Sequence, residues 1–83
     1  VCAACASAPP VQEMSDARQA IRAAESALGP GYAVPLRSAR ALLERAQLQL
    51  EAGAYAEARE YAIEARKEAL RARDQADNPQ LRP

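Results

Sequence analysis

The sequence predicts an all-α domain: an antiparallel three-helix bundle, up-down-up, behind a flexible N-terminal tether. Three observations carry that expectation. Ala, Leu, Arg, Glu and Gln, strong helix formers, dominate the 83 residues, and β-branched residues are scarce. Small and apolar side chains recur at steps of three and four in three separate segments, which keeps one face of a helix pointing in a constant direction. Glycine and proline fall at the borders of those segments, where they end or start helices.

Residues 1–10, VCAACASAPP, are uncharged, rich in small residues and closed by two prolines. Helix 1 is expected over about 11–28, with Met14, Ala17, Ile21, Ala24 and Leu28 as its stripe. Ser15 or Asp16 offers a cap for a later start. Gly29-Pro30-Gly31 breaks this helix, because glycine accepts left-handed dihedrals and proline cannot continue the hydrogen-bond ladder. Helix 2 is expected over about 35–52, opening at Pro35 and striped by Leu36, Ala39, Leu43, Ala46 and Leu50, with Leu42 alongside. Gly53 stops it, and helix 3 folds straight back over about 54–77. Its stripe is Tyr55, Ala58, Ala62, Ala65, Ala69, Ala72 and Ala76. A face of almost nothing but alanine lets a neighbour lie backbone close to backbone, so the other two helices are expected to cover it. Asn78-Pro79 ends helix 3, and residues 78–83 are expected to fray.

Composition narrows the function. Eleven basic residues balance eleven acidic ones, so no overall field draws the chain to nucleic acid or anionic lipid. The aromatics are three tyrosines, which leaves single-stranded nucleic acid without a stacking platform. No run approaches the roughly 18 apolar residues of a membrane span. Histidine is absent, and with it the usual proton shuttle near neutral pH and the commonest metal ligand. Glu57, Glu60, Glu64 and Glu68 are spaced along one helix but sit beside Arg59, Arg66 and Lys67, as a solvated face and not as a catalytic pair. No catalytic motif, cofactor or metal site is expected.

Charge is nonetheless unevenly placed. In an up-down-up bundle, one end gathers Glu13, Asp16, Glu44, Glu51, Glu57 and Glu60 against Arg18, Arg45 and Arg59. The other end gathers Arg22, Arg37, Arg40, Arg66, Lys67, Arg71 and Arg73 against Glu25, Glu64, Glu68 and Asp74. Acidic residues early in helix 3 and basic ones late in it suit the helix dipole. Arg37 and Arg40, at the start of helix 2, do not. Arg37, Arg40, Arg71 and Arg73 are therefore the candidate surface for an acidic partner, such as cell-wall carboxylates or an acidic protein face. Ile63 and Leu70 lie a heptad apart on a flank of helix 3 and either face helix 1 or, with Leu48, form a self-association seam for a homodimer.

Cys2 and Cys5 admit three chemistries. C-A-A-C has the spacing of a redox pair, but such a pair draws its reactivity from a strand-helix framework, and no strand pattern is present. As zinc ligands the two thiolates lack two partners. The third reading is a processing site: Ala3-Ala4-Cys5 looks like the tail of a bacterial lipobox, where small side chains precede the cysteine that receives the lipid. A first residue other than Met fits the removal of an upstream segment. Cys2, standing where such boxes usually carry Leu, is a departure.

The pattern Ala17…Ala24-Glu25…Tyr32-Ala33…Pro35-Leu36…Ala39-Arg40…Leu43…Ala46…Gly53…Tyr55…Ala58-Arg59…Ala62…Ala65 resembles a family of small bacterial envelope lipoproteins. That family is known as an alanine-rich domain of unknown function, sometimes found ahead of an OmpA-like peptidoglycan-binding domain. The resemblance spans about 11–76 and implies a periplasmic domain, anchored to the outer membrane through Cys5, that meets an envelope protein or peptidoglycan. It carries over no catalytic residue. Gly53-Ala54-Tyr55-Ala56-Glu57-Ala58 is also similar to the turn and second-helix start of a tetratricopeptide repeat, with Ala65 at the next small position. Gln49 stands where an aromatic is usual, and such arrays need about three repeats. That likeness implies a helical hairpin of the same geometry. The rival functions are a soluble self-associating adaptor without lipid and a thiol-disulfide protein using Cys2 and Cys5.

Overall fold

The computed structural model describes residues 8–28 and 33–77, so Cys2, Cys5, Gly29-Pro30-Gly31, Tyr32 and Asn78-Pro79 lie outside the described residues. Three helices follow one another: α1 (Val11–Leu28), α2 (Ala33–Glu51) and α3 (Tyr55–Asp77). Cross-helix partners fix their directions. Arg18 meets Gln47 and Glu25 meets Arg40, so α1 and α2 are antiparallel. Ser38 meets Glu68, so α2 and α3 are antiparallel, while Glu13 meets Arg59, so α1 and α3 run parallel. This is the up-down-up bundle the sequence predicts.

α3 is the element the others lie on. It packs extensively along both α1 and α2, which touch each other far less. Its face of Ala58, Ala62, Ala65 and Ala69 is wholly buried, and Ala72 nearly so. Without a side chain beyond Cβ, that face lets neighbouring helices approach toward the close end of the usual 8–10 Å interaxial range. The bulk that fills the interior comes from the other two helices: Met14 and Ile21 of α1, and Leu36 of α2, all buried. Leu43 and Leu50, expected inside, are only half-buried. The side chains of Leu28 and Ala76, assigned to the stripes, lie outside the described residues.

α1 spans Val11–Leu28 as expected, whereas both ends of α2 and the start of α3 differ from the expected ones by one or two residues. α1 needs no cap at Ser15 or Asp16. It begins at Val11, with the Pro10 carbonyl accepting the Met14 N–H at 3.0 Å, and Asp16 lies a turn inside, taking the Gln12 side-chain amide at 2.8 Å. α2 begins at Ala33, two residues before Pro35, which is therefore the third helical residue and not the first. Proline is tolerated there because the first four helical N–H groups have no intrahelical acceptor in any case. α2 then ends at Glu51 and α3 starts at Tyr55.

The residues between form a complete left-handed cap. The Gly53 N–H bonds the Leu50 carbonyl at 3.0 Å, and the Ala54 N–H reaches back to the Gln49 carbonyl at 2.8 Å. This is the paired bonding of a Schellman motif, and it requires the positive φ that Gly53 supplies at 82°. The Ala54 carbonyl accepts the Ala58 N–H at 3.0 Å, so one residue closes α2 and opens α3.

Candidate functional site

Two regions at opposite ends of the long axis carry the polar organisation of the surface. At the end where α1 starts, the chain enters the bundle through a bound turn. The Val11 N–H bonds the Pro9 carbonyl at 2.9 Å, closing a three-residue turn around Pro10. Proline holds φ near −65°, close to what an inverse turn of that size needs. The Pro10 ring is itself fully buried. Arg59, in the first turns of α3, reaches across: its Nη2 donates to the Ala8 carbonyl at 3.0 Å, and its Nε lies 3.5 Å from the Glu13 carboxylate. The guanidinium thus ties the segment before α1, α1 itself and α3 together. The last residues of the stretch expected as a tether are in this way held against the bundle.

The other end holds the candidate arginines. Arg40 pairs with Glu25 across the α1–α2 seam, and Arg71 pairs with Glu68 one turn earlier on α3. Glu68 also accepts the Ser38 hydroxyl at 3.2 Å, so it bridges to α2 and does not simply face outward. Arg37 is exposed and Arg73 half-buried, and neither has an ion-pair or hydrogen-bond partner among the described residues. The four residues therefore split: two are neutralised within the bundle, and two offer charge outward.

Ile63 lines a shallow depression of 140 Å³ between α1 and α3, together with Glu13, Asp16, Arg66 and Lys67. Arg66 and Lys67, assigned with the basic end, thus border the same depression as Glu13 and Asp16 of α1, which blurs the expected division of charge. Glu13 is engaged by Arg59, and Lys67 lies 3.5 Å from Glu64. Leu70 is half-buried on the same flank of α3. Leu48 is 63% exposed, on the side of α2 turned away from its buried stripe. The α1–α3 seam is across the bundle from that face, so Leu48 and Ile63 occupy different surfaces.

Among the described residues no buried side chain is polar or charged, and no group of three or more acidic or cysteine side chains is placed to hold a metal ion. No described helix is long and apolar enough to cross a membrane. No family model, curated protein or solved structure gives a significant match to the chain.

Sequence reasoning missed Arg59, counting it only as one charge among several. The signal was available. Parallel α1 and α3 start level with each other, which puts Glu13 and Arg59 side by side. The Ser38–Glu68 and Arg18–Gln47 bonds were less accessible, since they depend on the rotation of α2 about its axis.

Proposed function

We propose that this chain is a non-catalytic binding and spacer module of the bacterial cell envelope, held on the periplasmic side of the outer membrane by a lipid on Cys5. The observation that carries this reading is the clasped entry at one tip of an elongated body, 45 Å long and 23 by 18 Å across. A segment fixed there by Arg59 and the buried Pro10 holds the domain end-on, with Arg37 and Arg73 at the far tip. A surface presented in this way suits an acidic partner, either peptidoglycan carboxylates or an acidic face of an envelope protein. The resemblance of Ala3-Ala4-Cys5 to a lipobox and of the alanine pattern to envelope lipoproteins points the same way.

The test is the fate of the protein as its native host makes it. Intact mass is expected to show a diacylglyceryl adduct on Cys5, and Cys5→Ser is expected to move the protein from the membrane to the soluble fraction. An unmodified, soluble chain removes the reading, and a reversible two-dalton change at Cys2 and Cys5 replaces it with thiol chemistry. Arg37→Glu combined with Arg73→Glu is expected to abolish retention on purified cell wall. Unchanged retention removes that surface.

A further inference from the structure

We propose that Arg59 is a latch that joins the N-terminal segment to α3, so that a pull on that segment is delivered to the central helix and not to α1 alone. Its use as a joint under tension rests on the tethered reading above, whereas the latch itself does not. Three features place it. The guanidinium spans two partners at once, the Ala8 carbonyl at 3.0 Å and the Glu13 carboxylate at 3.5 Å, which lie on either side of the helix start. Its side chain is about three-quarters buried, at 24% exposure, against the 44–61% of the other cations paired with carboxylates. Between its two partners, Pro10 is buried and Val11 is turned back onto Pro9, so the segment is gripped by packing as well as by charge.

The physics of an unlatched entry differs. A helix start is ordinarily the first part of a helix to open, because its leading N–H groups have no intrahelical acceptor. Tension applied there peels the helix from its end, one turn at a time. With Arg59 in place, the same tension must separate a charge-assisted bond and expose the Pro10 ring before α1 can begin to fray. α3 receives it along a helix whose alanine face is covered by both neighbours, the most contacted part of the bundle. Arginine suits the task because its planar fork has donors on separate nitrogens for the two partners. A lysine ammonium is a compact point charge on a longer leash and cannot hold both in a fixed geometry.

The latch is tested by amide hydrogen exchange on the full chain, carried out without lipid so that the outcome is independent of how Cys5 is processed. Arg59→Gln is expected to speed exchange of the Val11 and Met14 amides by about tenfold while leaving Ala65 and Ala69 in α3 unchanged. Arg59→Lys is expected to behave like Arg59→Gln at Val11. Unchanged exchange at Val11 and Met14 overturns the proposal. A uniform rise across all three helices also overturns it, since Arg59 then supports the whole bundle and not the entry. Full retention by Arg59→Lys overturns the bridging geometry on which it stands. Should the bundle be too weakened by Arg59→Gln for native-state exchange, Glu13→Gln removes the charge of one partner while leaving a carbonyl oxygen in its place, and is expected to raise Val11 exchange by a smaller factor.

Discussion

Toward the end where α1 finishes, Ile21 and Leu36 lie inside among Ala24, Ala39, Ala69 and Ala72. Toward the end where α1 starts, Met14 is buried with Ala46 and Ala62, and Leu43, Leu50 and Tyr61 pack around it half-exposed. Leu43 touches both clusters and joins them. The first cluster is thus two branched side chains locked into an alanine frame. The second is one flexible thioether ringed by side chains that share their surface with water. An alanine seam contributes close approach but little bulk, so each end must import its filling from α1 and α2, and the two ends import it differently.

The difference sets the largest expected effect. Leu36→Ala removes a buried branched side chain from a frame that is mostly alanine, whose side chains, Ile21 and Leu43 apart, are too short to move into the gap. Its cost is expected near the upper part of the usual range of about 2–5 kcal/mol. Met14→Ala is expected nearer the lower part, because Leu50 and Tyr61 are partly free and can lean into the space. Urea midpoints of the two variants read the comparison directly. Equal losses mean that the surroundings of Met14 are as rigid as those of Leu36.

The converse substitution tests the seam. Ala69→Leu adds bulk opposite Ile21 and Leu36, which have few alternative rotamers in so tight a space, and is expected to cost about 1–3 kcal/mol. Ala62→Leu faces Met14, whose unbranched chain adapts to a new neighbour, and is expected to cost less. Thermal melts that reverse this order place the tighter contact at the Met14 end.

How much of this was legible in advance follows from the same physics. The stripes of all three helices were readable because three-four periodicity depends only on each helix's own geometry. Burial of Ala58, Ala62, Ala65 and Ala69 followed from that alone. The depth of Leu43 and Leu50 was not readable, since it depends on the angle at which α2 crosses the seam. The early start at Ala33 was missed because proline is compatible with any position in the first turn, and the sequence marks only that a turn begins nearby. Of the candidate site, the positions of the arginines along the axis were legible. Which of them are spent on Glu25 and Glu68 was not, because pairing is decided by rotation about each helix and by side-chain reach.

The two ends also differ in how they are closed, and this sharpens the comparison at smaller energies. At the Met14 end α2 turns into α3 through Gly53, whose φ of 82° is strained for a residue with a Cβ. No atom would crowd an added Cβ there, so any penalty of Gly53→Ala comes from the backbone alone. A loss of about 1 kcal/mol is expected, insensitive to salt. Gly53→Asn is expected to lose less, since asparagine tolerates the left-handed region better than alanine.

At the Leu36 end the visible closure is electrostatic. Arg40 and Glu25 reach across the α1–α2 seam, where the two helices have least other contact, yet both side chains are more than 40% exposed. Water screens such a pair, and ordering two long side chains offsets much of the attraction, which leaves a few tenths of a kcal/mol. A double-mutant cycle of Arg40→Gln and Glu25→Gln is expected to return a coupling of about 0.5 kcal/mol at low salt that fades toward 1 M. A coupling well above 1 kcal/mol that survives high salt would make this ion pair, and not Leu36, the fastening of α1 to α2. The ranking of the two ends would then invert.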